Sequence, residues 1–167
     1  NIDGVFFTPL ELTAEAASIN DKIIRMFNAA QIPVVLLDSD IVPAPLKSEH
    51  DLIGINKIEA GYVIGRHLLE KNSKKIGFVT RPYIANTVHM RLIGLREAVI
   101  QAGLGIDSIE TFNNDSSIDR LAKEIAKRQD LDALAVYNDA AAAELSVALD
   151  ALGVKIPQDL KICAFDD

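Results

Sequence analysis

Cysteine is nearly absent: Cys163 is the only one among 167 residues. A lone thiol cannot close an internal disulfide or build a Cys-rich zinc site, so both frameworks are excluded. Cys163 lies in the apolar run Ile162 to Phe165 and is read as a core residue. Long apolar runs are missing too. Those present, such as Ile32 to Leu37, are soon broken by Asp, Lys or Pro, short of the roughly 18 to 20 residues a membrane-crossing helix requires. Base is in deficit: 17 Lys and Arg against 24 Asp and Glu leave a formal charge of −7. That balance opposes binding to nucleic acid, because phosphate-backbone affinity comes from clustered cations. No glycine-rich phosphate loop follows a strand, and His50, His67 and His89 are too scattered for metal ligation, so neither a metal nor a cofactor is expected. Asn114-Asp115-Ser116 matches a glycan-acceptor triplet, a pattern short enough to arise often by chance. Fixed short repeats and low-complexity tracts are absent.

Hydrophobic residues make up 49% of the chain, enough for a substantial core in one domain or two small lobes, and too many for a disordered chain. Apolar runs of strand length alternate with stretches of helical period, the pattern of a parallel sheet covered by crossover helices, so the class is α/β. Strands are expected at Gly4 to Phe7, Val34 to Leu37, Leu52 to Ile55, Ile76 to Thr80, near Ser108 to Phe112, at Ala133 to Tyr137 and at Lys161 to Phe165. Val34 to Leu37 is apolar throughout and suits burial on both faces. Helices are expected around Ala14 to Ala30, from Glu59 through Leu69, and near Val88 to Ala102, Ser117 to Arg128 and Ala140 to Leu152. Gly103 and Gly153 stand where helix ends need a left-handed residue. The polar, proline-containing stretch from Ile41 to Asp51 reads as an irregular surface segment. Two α/β blocks emerge, 1–56 and 57–167, joined near Ile55 to Lys57.

In open parallel sheets ligands gather beyond the carboxyl ends of the strands, where helix N-termini point and loops carry polar groups. Those ends offer Thr8 and Glu11, Asp38 and Asp40, Thr80 with Arg81 and Tyr83, Asn138 and Asp139, and Asp166 and Asp167. Any single one also suits a helix cap or a turn, but they recur at each strand end. Arg91 follows the Thr80 strand by one loop; its rigid fork suits paired hydroxyls or a carboxylate, with Asp38 or Asp166 accepting from sugar hydroxyls. Its plainer reading is a solvated helix-surface arginine.

Several blocks resemble the lactose-repressor family of transcription regulators, in that family's order: Asp3-Gly4-Val5-Phe6-Phe7, Ile32-Pro33-Val34-Val35-Leu36-Leu37-Asp38, Ala60-Gly61 with Gly65 and His67-Leu68-Leu69, and Lys75-Ile76-Gly77-Phe78-Val79. Arg91-Leu92-Ile93-Gly94-Leu95-Arg96-Glu97-Ala98, Tyr137-Asn138-Asp139, Ile156-Pro157-Gln158-Asp159-Leu160 and Ala164-Phe165-Asp166-Asp167 continue it. Departures are Asn72-Ser73, where the family commonly has Gly-His, and Ala164, where it usually has Gly. The resemblance implies a periplasmic-binding-protein type I architecture, with two Rossmann-like lobes and a small-molecule effector, a sugar or sugar-like compound, in the cleft between them. It implies Asp38, Arg91, Asn138 and Asp166 as ligand contacts, with Thr87 as a further polar one; His89, two positions before Arg91, could line the same cleft. It further implies a cytoplasmic homodimer without enzymatic activity that meets DNA only through a headpiece outside these residues, effector binding closing or reorienting the lobes.

Asn1-Ile2-Asp3-Gly4 holds neither an initiator Met nor a charged apolar leader, and Asp166-Asp167 follow a strand-like run directly, so both ends are expected to be cut and the lack of a leader says nothing about localisation. One alternative is an exported sugar-binding protein feeding a membrane permease. The other is a haloacid-dehalogenase-type phosphatase, in which Asp38 attacks phosphorus, Asp40 is acid/base, and Thr80, Lys123 or Lys155 and Asp166-Asp167 complete a magnesium site.

Overall fold

The computed structural model describes residues 2–115 and 117–166. It divides into two compact units, Asn1–Lys57 with Tyr83–Met90, and Ile58–Pro82 with Arg91–Asp167.

The first unit is built on a parallel sheet of β1 (Val5–Phe7), β2 (Val34–Leu37) and β3 (Asp51–Ile53), in that order. Helix α1 (Ala16–Ala29) is the crossover between β1 and β2. Register sets Phe7 beside Leu36 and Leu36 beside Leu52, so these three share a sheet face. Ile24 of α1 packs against Val34 and Leu36, with Phe7, Phe27 and Ile41 around them. The expectation that β2 is buried on both faces is met on one: Val34 and Leu36 are buried, while Val35 and Leu37 are half-buried. The other face carries Phe6 and Ile53, both exposed, because α1 packs only on the Leu36 side.

The second unit holds four parallel strands in the order β5-β4-β6-β7: β4 (Ile76–Thr80), β5 (Ile109–Asn113), β6 (Ala133–Val136) and β7 (Lys161–Ala164). The central strands β4 and β6 are buried along their whole length, as their unbroken apolar runs require. Helices α2 (Lys57–Glu70), α3 (Asn86–Gln101), α4 (Ile118–Ile125) and α5 (Asp139–Ala151) complete the chain, with a single 3-10 turn at Ile106–Ser108 where a strand start is expected. Helix α3 begins in the first unit and continues in the second. Helices α4 and α5 pack on each other.

Helices α2 and α3 meet at glycines. A Cβ on Gly61 would lie 1.9 Å from the Arg91 carbonyl oxygen, and one on Gly94 would lie 1.8 Å from the Ile58 carbonyl oxygen. Only hydrogen fits there, so the two backbones touch, and this contact fixes where Arg91 leaves α3. Gly153 (φ 84°) closes α5 in the left-handed conformation, and Asn72 (φ 61°) takes it after α2 at the turn where the lactose-repressor family commonly has glycine.

Cys163 is half-buried rather than a full core residue, because β7 is an edge strand among those described; burial still pushes its thiol up from the ordinary value. Among the described residues no helix is long and apolar enough to cross a membrane.

Candidate functional site

Each unit places an aspartate just past the end of a parallel strand, in the left-handed conformation, against a buried cation. In the second unit the aspartate is Asp166 (φ 70°), two residues beyond β7. Arg91 donates from Nη2 to Asp166 Oδ1 at 3.0 Å and from Nη1 to the Tyr137 carbonyl at 2.9 Å, and its guanidinium lies 4.4 Å from the centre of the Phe165 ring. The Arg91 side chain is 8% exposed and that of Asp166 57%, so the carboxylate is the outward partner. Arg91 Nε is buried and meets no acceptor among the described residues. The reading of Arg91 as a solvated surface residue is therefore overturned: the glycine-lined crossing draws the start of this helical segment inward, and the ends of β6 and β7 supply its partners.

In the first unit Asp38 (φ 66°) follows β2 directly and forms an ion pair with the Lys57 ammonium. Here too the cation is enclosed, at 5% exposed against 54% for Asp38. Asp, like Asn, tolerates the left-handed region better than most residues, which suits it to a sharp turn that must also carry a carboxylate. Lys57 stood out in the sequence only as a block boundary; a lysine opening a helix is ordinarily solvated, and nothing local marks it as buried.

Thr87 is buried, and its hydroxyl donates to Glu11 Oε2 at 3.0 Å while its amide donates to Oε1 at 3.3 Å. Ser39, also buried, donates from Oγ to Glu11 Oε1 at 2.6 Å. Asn86 adds two bonds, accepting from the Ala44 amide and donating to the Val42 carbonyl. These contacts explain why Tyr83–Met90 belongs with the first unit although the sequence assigns it to the second block.

Asn138 is the N-cap of α5: its side-chain oxygen accepts from the Ala141 amide at 2.9 Å, and it directly follows Tyr137, whose carbonyl Arg91 holds. The second unit thus brings Arg91 and Asp166 into direct contact, with Asn138 adjoining through Tyr137; Asp38 and Thr87 lie in the first unit on separate partners.

The other strand-end residues serve local structure. Asp40 accepts from the Val42 and Ser48 amides and orders the loop, and Asp139 accepts from the Ala140 amide. Thr80 is buried with its hydroxyl on the Arg81 carbonyl, Arg81 lies 5.0 Å from the Tyr137 ring centre, and Thr8 and Tyr83 are exposed. Asp167 and Ser116 lie outside the described residues. No group of three or more His, Cys, Asp or Glu side chains suited to a metal occurs among those described. Sequence reasoning missed Lys57, Ser39 and the Phe165 stacking, and read Glu11 only as a strand-end residue.

A family model described as a periplasmic binding protein-like domain matches residues 66–167. Among curated proteins, the HTH-type transcriptional repressor PurR of Vibrio vulnificus (strain CMCP6) is 28% identical over 171 residues, covering 99% of this chain and 48% of that protein. The ribose operon repressor of Escherichia coli (strain K12) is 29% identical over 140 residues, covering 81% and 41%. Among solved structures, a LacI family transcriptional regulator from Enterococcus faecium with bound ribose superposes with a TM-score of 0.76 at 22% identity, covering 99% of this chain and 59% of that one. The chain therefore spans about half the length of the curated relatives it matches.

Proposed function

We propose a function from the premise that this chain belongs to the periplasmic binding protein-like domain family: it is the effector-sensing part of a bacterial transcription regulator of the lactose-repressor type, and its effector is a sugar or sugar-like compound. One observation carries the reading. A guanidinium 8% exposed, with an unpartnered buried Nε, sits at the carboxyl ends of parallel strands beside a half-exposed carboxylate. That arrangement places donors and acceptors side by side, as a polyhydroxylated ligand requires. The relatives are repressors by name, one of them of a ribose operon, which favours a sensor over a phosphatase or an exported receptor.

Arg91 and Asp166 are the principal contacts in this proposal, with Asn138 as a further polar contact in the second unit and Asp38 as an acceptor in the first. Thr87 acts less directly, since its hydroxyl hydrogen is given to Glu11; its role is to hold the start of α3 in place. Binding shifts an equilibrium between two forms of the regulator by the difference in their affinities for the effector. Contact with DNA runs through a headpiece beyond these residues, the regulator is a cytoplasmic homodimer, and no catalysis is involved; the charge of −7 agrees with DNA contact made elsewhere.

Thermal-shift measurement on the full-length protein against a sugar panel tests this, because a ligand at about 100 times its Kd adds about 2.7 kcal/mol to the native state. We expect at least one sugar to raise the melting temperature of the wild type, and R91M to lose that response while still unfolding cooperatively. Wild-type affinity in R91M by titration calorimetry refutes the assignment.

A further inference from the structure

Among the described residues each unit holds one buried cation, and each is already neutralised. Arg91 is paired with Asp166 and Lys57 with Asp38, and in each pair the acid is the exposed partner. A ligand approaching Arg91 therefore meets a carboxylate first. At the strand ends of the second unit, Arg81 and Arg91 stand against Asp115, Asp139 and Asp166, and the first turn of α4 adds one charge of each sign, Asp119 and Arg120. Among these described residues the formal charges do not sum to a positive value that would favour an anion.

Hydrogen-bond chemistry points the same way. Asp166 accepts and cannot donate, so whatever contacts it must bring a hydrogen. Arg91, with Nε free of acceptors, donates and cannot accept. A hydroxyl does both, and two adjacent hydroxyls answer a carboxylate and a guanidinium held 3.0 Å apart. A ligand carboxylate or phosphate answers only the arginine, and would leave two like charges in contact at Asp166.

Building on the sensor reading above, we propose that this site selects uncharged polyols and rejects their carboxylate and phosphate derivatives, with Asp166 as the discriminating residue. The tests are titrations of the full-length protein with matched pairs: D-ribose and D-ribose 5-phosphate, D-glucose and D-gluconate, D-galactose and D-galacturonate, cellobiose and cellobionate. In every pair that binds, the neutral member should bind at least about tenfold more tightly, a difference of about 1.4 kcal/mol. D166N, which keeps an acceptor for Arg91 but removes the charge, should narrow that gap to less than about threefold. An anionic member binding as well as or better than its neutral partner overturns the selectivity while leaving the sensor reading in place. A gap unchanged in D166N overturns the role of Asp166, and no binding by any member at millimolar concentration overturns the sensor reading itself and this inference with it.

Discussion

The crossing of α2 and α3 makes a counterintuitive prediction about Gly61. On helix propensity alone, Gly61→Ala in the interior of α2 should stabilise the protein by about 1 kcal/mol. The structure reverses the sign. The new Cβ would meet the Arg91 carbonyl oxygen at 1.9 Å, its carbonyl carbon at 2.6 Å and its Cα at 2.8 Å, all backbone atoms that no rotamer change can clear. Reaching even 3.0 Å from the oxygen needs 1.1 Å of helix displacement. Overpacking of this kind costs about 3 kcal/mol, so after the propensity gain the net loss is about 2 kcal/mol. For a chain of this size that is a fall in Tm of about 4 to 8 °C. The displacement has a second effect, because Arg91 bonds of 2.9 and 3.0 Å stretched by 1.1 Å pass out of hydrogen-bonding range. Urea titration of G61A, with the midpoint lowered and the slope unchanged, is the assay. Gly65→Ala is the control: its two nearest neighbours are side-chain atoms, Ala98 Cβ at 2.7 Å and Leu95 Cδ1 at 3.0 Å, with the Leu95 carbonyl oxygen at an ordinary 3.4 Å, and pairing it with Ala98→Gly should recover most of any loss. If G61A proves as stable as the wild type, the close crossing and its hold on Arg91 are wrong.

Two further outcomes follow from the ion pairs. Asp38→Gly removes the carboxylate without backbone strain but leaves the enclosed Lys57 ammonium unpaired, a loss of about 2 to 3 kcal/mol; Lys57→Met leaves a half-exposed aspartate that water can solvate, and should cost less. Equal losses in urea midpoints would count against a buried ammonium. On the β5 side of the second unit, the Arg128 guanidinium bonds Glu110 and Asp130, holding both carboxyls below their ordinary range, Asp130 at about 2. A depressed folded pKa contributes stability above the unfolded value and loses it as pH falls through the folded one, so this cluster should weaken between about pH 4.5 and about pH 2. Arg128→Met should flatten that acid limb in thermal melts taken across the window, and an unchanged limb would show that the cluster is not its source.

The order of the elements was legible because strands such as β2 and β4 are apolar runs bounded by polar residues or proline. Val34 to Leu37 lies between Pro33 and Asp38 and Ile76 to Thr80 between Lys75 and Arg81, and the structure reproduces both spans. Limits slipped where side chains, rather than the apolar period, decide them: α3 starts at Asn86, two residues before the apolar Val88, because Asn86 and Thr87 are tied to Val42, Ala44 and Glu11. Such ties join residues far apart in sequence, 76 positions for Glu11 and Thr87 and 75 for Arg91 and Asp166. A local pattern identifies an element but not the partner that buries one of its charges.

That difference explains why the burial of Arg91 and Lys57 was less legible than the turn positions of Asp38 and Asp166. An aspartate closing an apolar strand is visible as such, since the polar break and the residue's tolerance of the left-handed turn both lie within a few positions. A cation on a helix is equally at home in water, and for Arg91 a second helix pressing against its backbone through Gly61 changes that. Gly61 and Gly94 were present in the sequence as members of two separate motifs, and their meaning lies in the contact between them. The enclosed Arg91 is thus a consequence of helix packing and the exposed Asp166 a consequence of strand ending, and a polar ligand contacting both tests the two at once.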